Sequence, residues 1–233
     1  GFFIKSNDDG KTWSDPEIMP AGLFGPIKNK PIRLADGRIA CGSSVESYNA
    51  WTGWIHIYDP STDQWSIRGP LAVPGNQRGL IQPTLWESEP GHVRAYLRST
   101  REIGYICVSD SVDNGETWSA AEKTALPNPN SGIDAVKLDD GRVVLIYNHT
   151  QRTDSQGGRE IIHAAVSPDN GTSWSAPWVI EDEGKEYSYP AIIQGSDGTV
   201  HVTYTWNRVG VRYVAFSREE IDRVTDGTLQ RAR

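Results

Sequence analysis

Apolar residues fall along this chain in short alternating runs that come in pairs, each pair joined by a glycine turn. Lys30-Pro31-Ile32-Arg33-Leu34 turns at Asp36-Gly37 into Ile39-Ala40-Cys41, and Gln82-Pro83-Thr84-Leu85-Trp86 turns at Pro90-Gly91 into 93–97. Asp134-Ala135-Val136-Lys137-Leu138 turns at Asp140-Gly141 into 143–147, and Tyr189-Pro190-Ala191-Ile192-Ile193 turns at Asp197-Gly198 into 200–204. Alternation marks a strand with one buried face, and Asp-Gly between two such runs marks a hairpin. A third strand follows, at 104–108 and 161–166 for example, and leads into a polar turn with a fourth strand beyond it.

Those polar turns repeat one phrase. Ser6-Asn7-Asp8-Asp9-Gly10-Lys11-Thr12-Trp13, Ser111-Val112-Asp113-Asn114-Gly115-Glu116-Thr117-Trp118 and Ser167-Pro168-Asp169-Asn170-Gly171-Thr172-Ser173-Trp174 are its full copies, and Ser61-Thr62-Asp63-Gln64-Trp65 is an eroded one. The tryptophans recur about every 50 to 56 residues, the length of a propeller blade. A carboxylate two residues before glycine accepts backbone N–H groups of its own turn, and the tryptophan pins the hairpin to a neighbouring sheet. Asp8, Asp113 and Asp169 are therefore read as structural, because the oxygen-rich twelve-residue pattern of a calcium loop is absent. The expected fold is all-β: a propeller of four-stranded antiparallel blades, one domain over residues 1–233, with about four blades plus terminal strands.

Composition agrees: 23 Gly and 14 Pro lie at turn positions, and 9 Trp with 9 Tyr suit strands. A net charge of −7 argues against nucleic acid, which calls for a basic face. Two cysteines, Cys41 and Cys107, imply no disulfide framework and leave a single bridge open. No apolar run is long enough for a membrane span, and no basic-then-apolar segment reads as a signal peptide. Because the chain starts at Gly1, a secreted or periplasmic location after removal of an upstream signal stays open beside a cytoplasmic one. No cofactor and no metal site are expected.

In a propeller the first strand of each blade lines the central channel, and ligands bind where its entry end opens on one face. The aligned entry positions are Lys30, Gln82, Asp134 and Tyr189, all polar at the mouth of apolar strands. Second strands end on the same face, at Glu46, at Arg98 with Arg101, at Asn148 with His149, and at Trp206 with Arg208. These side chains are expected to converge on one pocket, away from the boxed turns on the rim.

The boxed phrase resembles the Asp-box, or bacterial neuraminidase repeat, of the sialidase superfamily. Gly25-Pro26-Ile27-Lys28-Asn29-Lys30-Pro31-Ile32, Pro127-Asn128-Pro129-Asn130-Ser131-Gly132-Ile133-Asp134 and Glu186-Tyr187-Ser188-Tyr189-Pro190 look like its sialidase-like branch, and the resemblance covers nearly the whole chain. It implies a six-bladed ring, three arginines on a substrate carboxylate, a tyrosine nucleophile activated by a glutamate, and an aspartate acid. A neutral phenol approaches an anomeric carbon that bears a carboxylate where an anionic nucleophile is repelled. Arg98, with Arg101 as its local rival, matches the second family arginine, Arg159 the third, and Tyr187 the nucleophile.

The departures are specific. No Arg-Ile-Pro phrase with its aspartate is present, so the chain is expected to begin inside the second blade, with 1–5 as a third strand. Gln82 stands where the family places its base, leaving Glu46 or Asp134 to substitute. Three functions follow: a sialidase-type hydrolase releasing an acidic sugar, a carbohydrate-binding propeller without chemistry in which Trp206, Tyr187 and Tyr189 stack on sugars, or a hydrolase or lyase on another acidic polysaccharide with His149 and Tyr187 as its acid–base pair. The expected partner is thus an acidic glycan, and an open propeller edge would invite a second chain to cover it.

Overall fold

The computed structural model describes residues 1–76, 78–151, 158–183 and 185–229. Strands β1 (Phe2–Phe3) and β2 (Glu17–Ile18) pair across the first boxed turn. The first full blade runs β3 (Ile32–Arg33), β4 (Ile39–Glu46), β5 (Trp51–Asp59) and β6 (Gln64–Leu71). The second runs β7 (Leu80–Glu89), β8 (His92–Ser99), β9 (Tyr105–Ser111) and β10 (Glu122–Pro127). The third runs β11 (Asp134–Lys137), β12 (Val143–Tyr147), β13 (Ile162–Ser167) and β14 (Trp178–Glu181). A last blade holds three strands, β15 (Tyr187–Gln194), β16 (Val200–Trp206) and β17 (Gly210–Phe216), and helix α1 (Arg218–Thr225) follows it. Every pairing between these strands is antiparallel, so the hairpin-by-hairpin expectation holds for the fold class.

Turn chemistry fixes these hairpins as the sequence suggests. Asp36, Asp140 and Asp197 each accept from the backbone N–H two residues on, at 3.0 Å, across a glycine of positive φ. In the boxed turns Asp8, Asp113 and Asp169 each accept from the backbone and the hydroxyl four residues on, at 2.5 to 2.9 Å. Ser6, Ser111 and Ser167 receive the N–H of Gly10, Gly115 and Gly171. The eroded copy lacks this set: Asp63 accepts instead from the Tyr58 hydroxyl.

Apolar burial lies between blades. One cluster joins Ile55, Ile57 and Leu71 of the first full blade to Leu80, Leu85 and Leu97 of the second, with Trp118 of a boxed turn against it. A second joins Trp86 and Tyr96 to Leu145 and Ala165, with Trp174 against it. The third holds Val144, Trp178, Ile192, Val202 and Tyr204 and takes in Ile221 and Val224 of the helix. That helix starts on a full capping box between Ser217 and Glu220, which satisfies its first donors. Blades meet without room to spare, since a Cβ on Gly42 would lie 2.2 Å from the Pro83 carbonyl oxygen. Cys41 and Cys107 are buried and unbridged, and burial pushes both thiols up to about 12.

Candidate functional site

Two of the inner strands carry an irregularity just before a proline. The register of β7 on β8 shifts between Ile81 and Thr84, and that of β15 on β16 shifts between Ser188 and Ala191. Gln82 and Tyr189, each followed by proline, take φ of 54° and 49° there. Proline cannot donate to the ladder, so it settles at a bulge, and a bulge re-aims the side chains around it. Lys28 and Asn130, in the loops leading to β3 and β11, also take positive φ, 71° and 62°. All four converge on the centre of one face.

There Arg98 and Arg159 flank the Tyr189 ring, their guanidinium carbons 5.8 and 5.5 Å from its centroid. The Trp51 ring centroid also lies 5.9 Å from the Arg98 guanidinium carbon. Arg98 is only 6% exposed, and it donates to Asn130 Oδ1 at 3.0 Å and to Gln82 Oε1 at 3.1 Å. Arg159 donates to the Asn130 carbonyl at 2.9 Å and pairs with Glu186 at 3.3 Å. Glu186 also holds Arg208 at 2.6 Å and accepts from the Ser188 hydroxyl.

Electrostatics follow from this packing. Burial alone would raise the Tyr189 phenol, but Arg98 above all, together with Arg159, outweighs it and brings the group below the usual tyrosine value. Burial lowers Arg98, against which Tyr189 and the charge of Glu46 act. The site can therefore hold an anion between two guanidinium forks and keep a phenol inclined to lose its proton.

The side chains expected to converge divide into groups. Arg98, Gln82, Tyr189 and Arg159 are brought together. Glu46 is exposed at the end of β4, within electrostatic reach of Arg98. Arg101 lines a neighbouring cavity of about 320 Å3 with Tyr48, Trp51, Arg78 and Asn130, which joins the arginine pair through Trp51 and Asn130.

The remaining expected residues are placed apart from this group. Tyr187 is fully buried in the core and meets Tyr204 edge-on, because the bulge that follows it exposes Tyr189 instead. Asp134 is 1% exposed and occupied at the propeller axis by Thr84 Oγ1, the Ile192 N–H and Lys30 Nζ, so its carboxylate and Lys30 join inner strands. His149 Nδ1 lies 2.6 Å from the Tyr147 hydroxyl, and its backbone N–H donates to His163. Trp206 turns outward to Glu181, which also holds Tyr204 and Arg212.

Sequence reasoning passed over Lys28, Trp51, Asn130 and Glu186 as site residues. Three of them lie in the phrases 25–32, 127–134 and 186–190, which carried the signal.

A family model described as a BNR repeat-like domain matches residues 2–202. An anhydrosialidase of Macrobdella decora is 24% identical over 93% of the chain and 30% of its own length, and a sialidase of Bacteroides fragilis is 24% identical over 93% and 41%. The chain thus spans less than half the length of these two relatives. Among solved structures, the NanB sialidase from Streptococcus pneumoniae superposes with a TM-score of 0.69 at 17% identity, over 94% of this chain and 36% of that one. A protein of unknown function from Dyadobacter fermentans superposes with a TM-score of 0.71 at 24% identity, over 92% and 62%.

Proposed function

The chain belongs to the BNR repeat-like domain family, and from that premise we propose that it works as a sialidase-type glycoside hydrolase on a terminal sugar bearing a carboxylate. The observation that carries the reading is Tyr189 held between Arg98 and Arg159. In this reading the two guanidinium forks take the substrate carboxylate, and the phenol oxygen of Tyr189 attacks the anomeric carbon as the bond to the leaving oxygen breaks. Gln82, an amide, takes no proton, and the cations beside Tyr189 ease transfer of the phenol proton to another base. Glu46 is the carboxylate assigned to take that proton, since Asp134 is committed to the inner strands, and water protonates the leaving oxygen.

Release of 4-methylumbelliferone from its sialoside tests this. Turnover is expected, with loss in Tyr189→Phe, and no turnover above that variant contradicts it.

Gln82 also favours a second reading, a carbohydrate-binding propeller in which the arginines hold an acidic glycan without chemistry. Binding of sialosides that Tyr189→Phe leaves unchanged, with no hydrolysis, would decide for it.

A further inference from the structure

Lys28 takes no part in the chemistry above, yet its ammonium is tied to each side of the site. Nζ donates to Asn29 Oδ1 at 2.8 Å, to the Ile133 carbonyl at 2.6 Å and to the Pro190 carbonyl at 2.6 Å. The adjacent Asn29 is buried and donates from Nδ2 to the Gln82 carbonyl at 2.9 Å. Two neighbouring side chains thereby hold one carbonyl from the bulge of β7, one from the approach to β11 and one from the bulge of β15.

The stem of Lys28 is fitted as closely as its head. A Cβ built on Gly132 would lie 3.1 Å from Lys28 Cε, 3.3 Å from Tyr189 Cδ1 and 3.6 Å from Gln82 Oε1, so all three pack against one backbone point. An ammonium offers three donors, and three acceptors surround this one. The residue carries this arrangement at a φ of 71°, a conformation a lysine keeps only when its surroundings enforce it.

We infer that Lys28 is a positioning residue: its ammonium clamps the Tyr189-Pro190 bulge to the approach of β11 and so keeps the phenol between Arg98 and Arg159. As regards turnover, the inference rests on Tyr189 being the reacting group. As regards the state of the phenol, it does not.

The charged form serves all three acceptors and the neutral amine still serves two, so the clamp persists while the phenol titrates. Burial pushes Lys28 down to about 7, opposed by Asp134 on β11 and reinforced by Lys30 beside β3 and Arg98 on β8. On the β15 side it meets the Pro190 carbonyl, with the Tyr189 ring alongside.

The test uses Lys28→Met and Lys28→Cys, the latter also alkylated with 2-bromoethylamine to restore an amine more acidic than that of lysine. Wild type treated in the same way controls for Cys41 and Cys107. Ultraviolet difference titration, with Tyr189→Phe subtracted, isolates the ionisation of this one phenol. We expect the Tyr189 step to lie below the ordinary tyrosine range in wild type, to rise in Lys28→Met, and to return on aminoethylation. Where sialoside turnover is present, kcat falls about 10²-fold in Lys28→Met with little change in KM, as for a displaced reacting group. Aminoethylation restores kcat.

An unchanged Tyr189 step in folded Lys28→Met overturns the inference, as does aminoethylation that restores neither the step nor turnover. A step that moves as expected in a protein without sialoside turnover supports the clamp and counts against the hydrolase. If Lys28→Met does not fold, Lys28→Arg is read instead. Its planar fork keeps the charge and cannot address the three acceptors, so the same rise of the Tyr189 step is expected, and an unmoved step overturns the clamp.

Discussion

The boxed turns on the rim and the strand ends at the centre use the same uncommon backbone conformation to different ends. On the rim, Asp9, Asn114 and Asn170 take φ of 58° to 59°, each before a glycine and inside the same hydrogen-bond set. Asp and Asn tolerate that conformation, and three like copies make it part of the scaffold. At the centre the residues with positive φ are Lys28, Gln82, Asn130 and Tyr189, no two alike, and for long side chains the conformation costs about 1–3 kcal/mol each. Where the repeat is kept, the molecule is held together. Where the repeat breaks, cations and a phenol are gathered at one point.

The sharpest way to break this contrast is to change the two tyrosines separately. Tyr189→Phe is expected to lower kcat on a fluorogenic sialoside by about 10³-fold or more, as for loss of a nucleophile. Tyr187→Phe, in the core, is expected to stay within a few-fold of wild type. Next in size is Arg98→Met, which removes the fork from the carboxylate and leaves Gln82 and Asn130 without their donor. A drop of about 10²-fold in kcat/KM is expected, on the scale of a truncated buried charge contact.

Asp134→Asn turns the question to the axis. The thermal or urea midpoint is expected to show a loss of about 3 kcal/mol, the low end for a broken buried ion pair because Lys30 stays partly open to water. Turnover per folded molecule should change little, and a loss of turnover in a stable protein would return Asp134 to the chemistry.

The smallest effect is expected on the rim, where Asp113→Ala should cost about 1–2 kcal/mol of stability and nothing in activity. Hydrogen bonds from the Thr117 hydroxyl and backbone, then Ser111, hold Asp113 at about 2, below its ordinary value. Its contribution is therefore full above that ordinary value and is lost as pH falls toward about 2. Acid unfolding of Asp113→Ala compared with wild type should converge at the low end of that range.

Much of the fold was legible because its determinants are local. Asp-Gly pairs and the Ser-x-Asp-x-Gly phrase close their own turns within a few residues, and the spacing of Trp13, Trp118 and Trp174 repeats the blade. The site was legible in part. Arg98 could be found from its place at the end of a second strand, and Arg159 through the family resemblance.

Tyr187 and Tyr189 could not be separated by alternation, which puts both on one face. The bulge that separates them is written only in the proline that follows Tyr189, as in the one that follows Gln82. Asp134 looked available because its partners Thr84 and Ile192 lie on other blades, 50 and 58 residues away. His149 and Trp206 occupy the expected strand ends, and their partners Tyr147 and Glu181 draw them away from the centre.

The central claim is that the break in β15 makes Tyr189 the reacting group of this face. Covalent trapping tests it most directly: the protein is treated with a 3-fluorosialosyl fluoride, which slows breakdown of a glycosyl-tyrosine, and the modified peptide is mapped by mass spectrometry. A single sialosyl adduct on Tyr189, absent from Tyr189→Phe and retained in Tyr187→Phe, is the result expected. An adduct on Tyr187, or no adduct under conditions where the sialoside is hydrolysed, would contradict it.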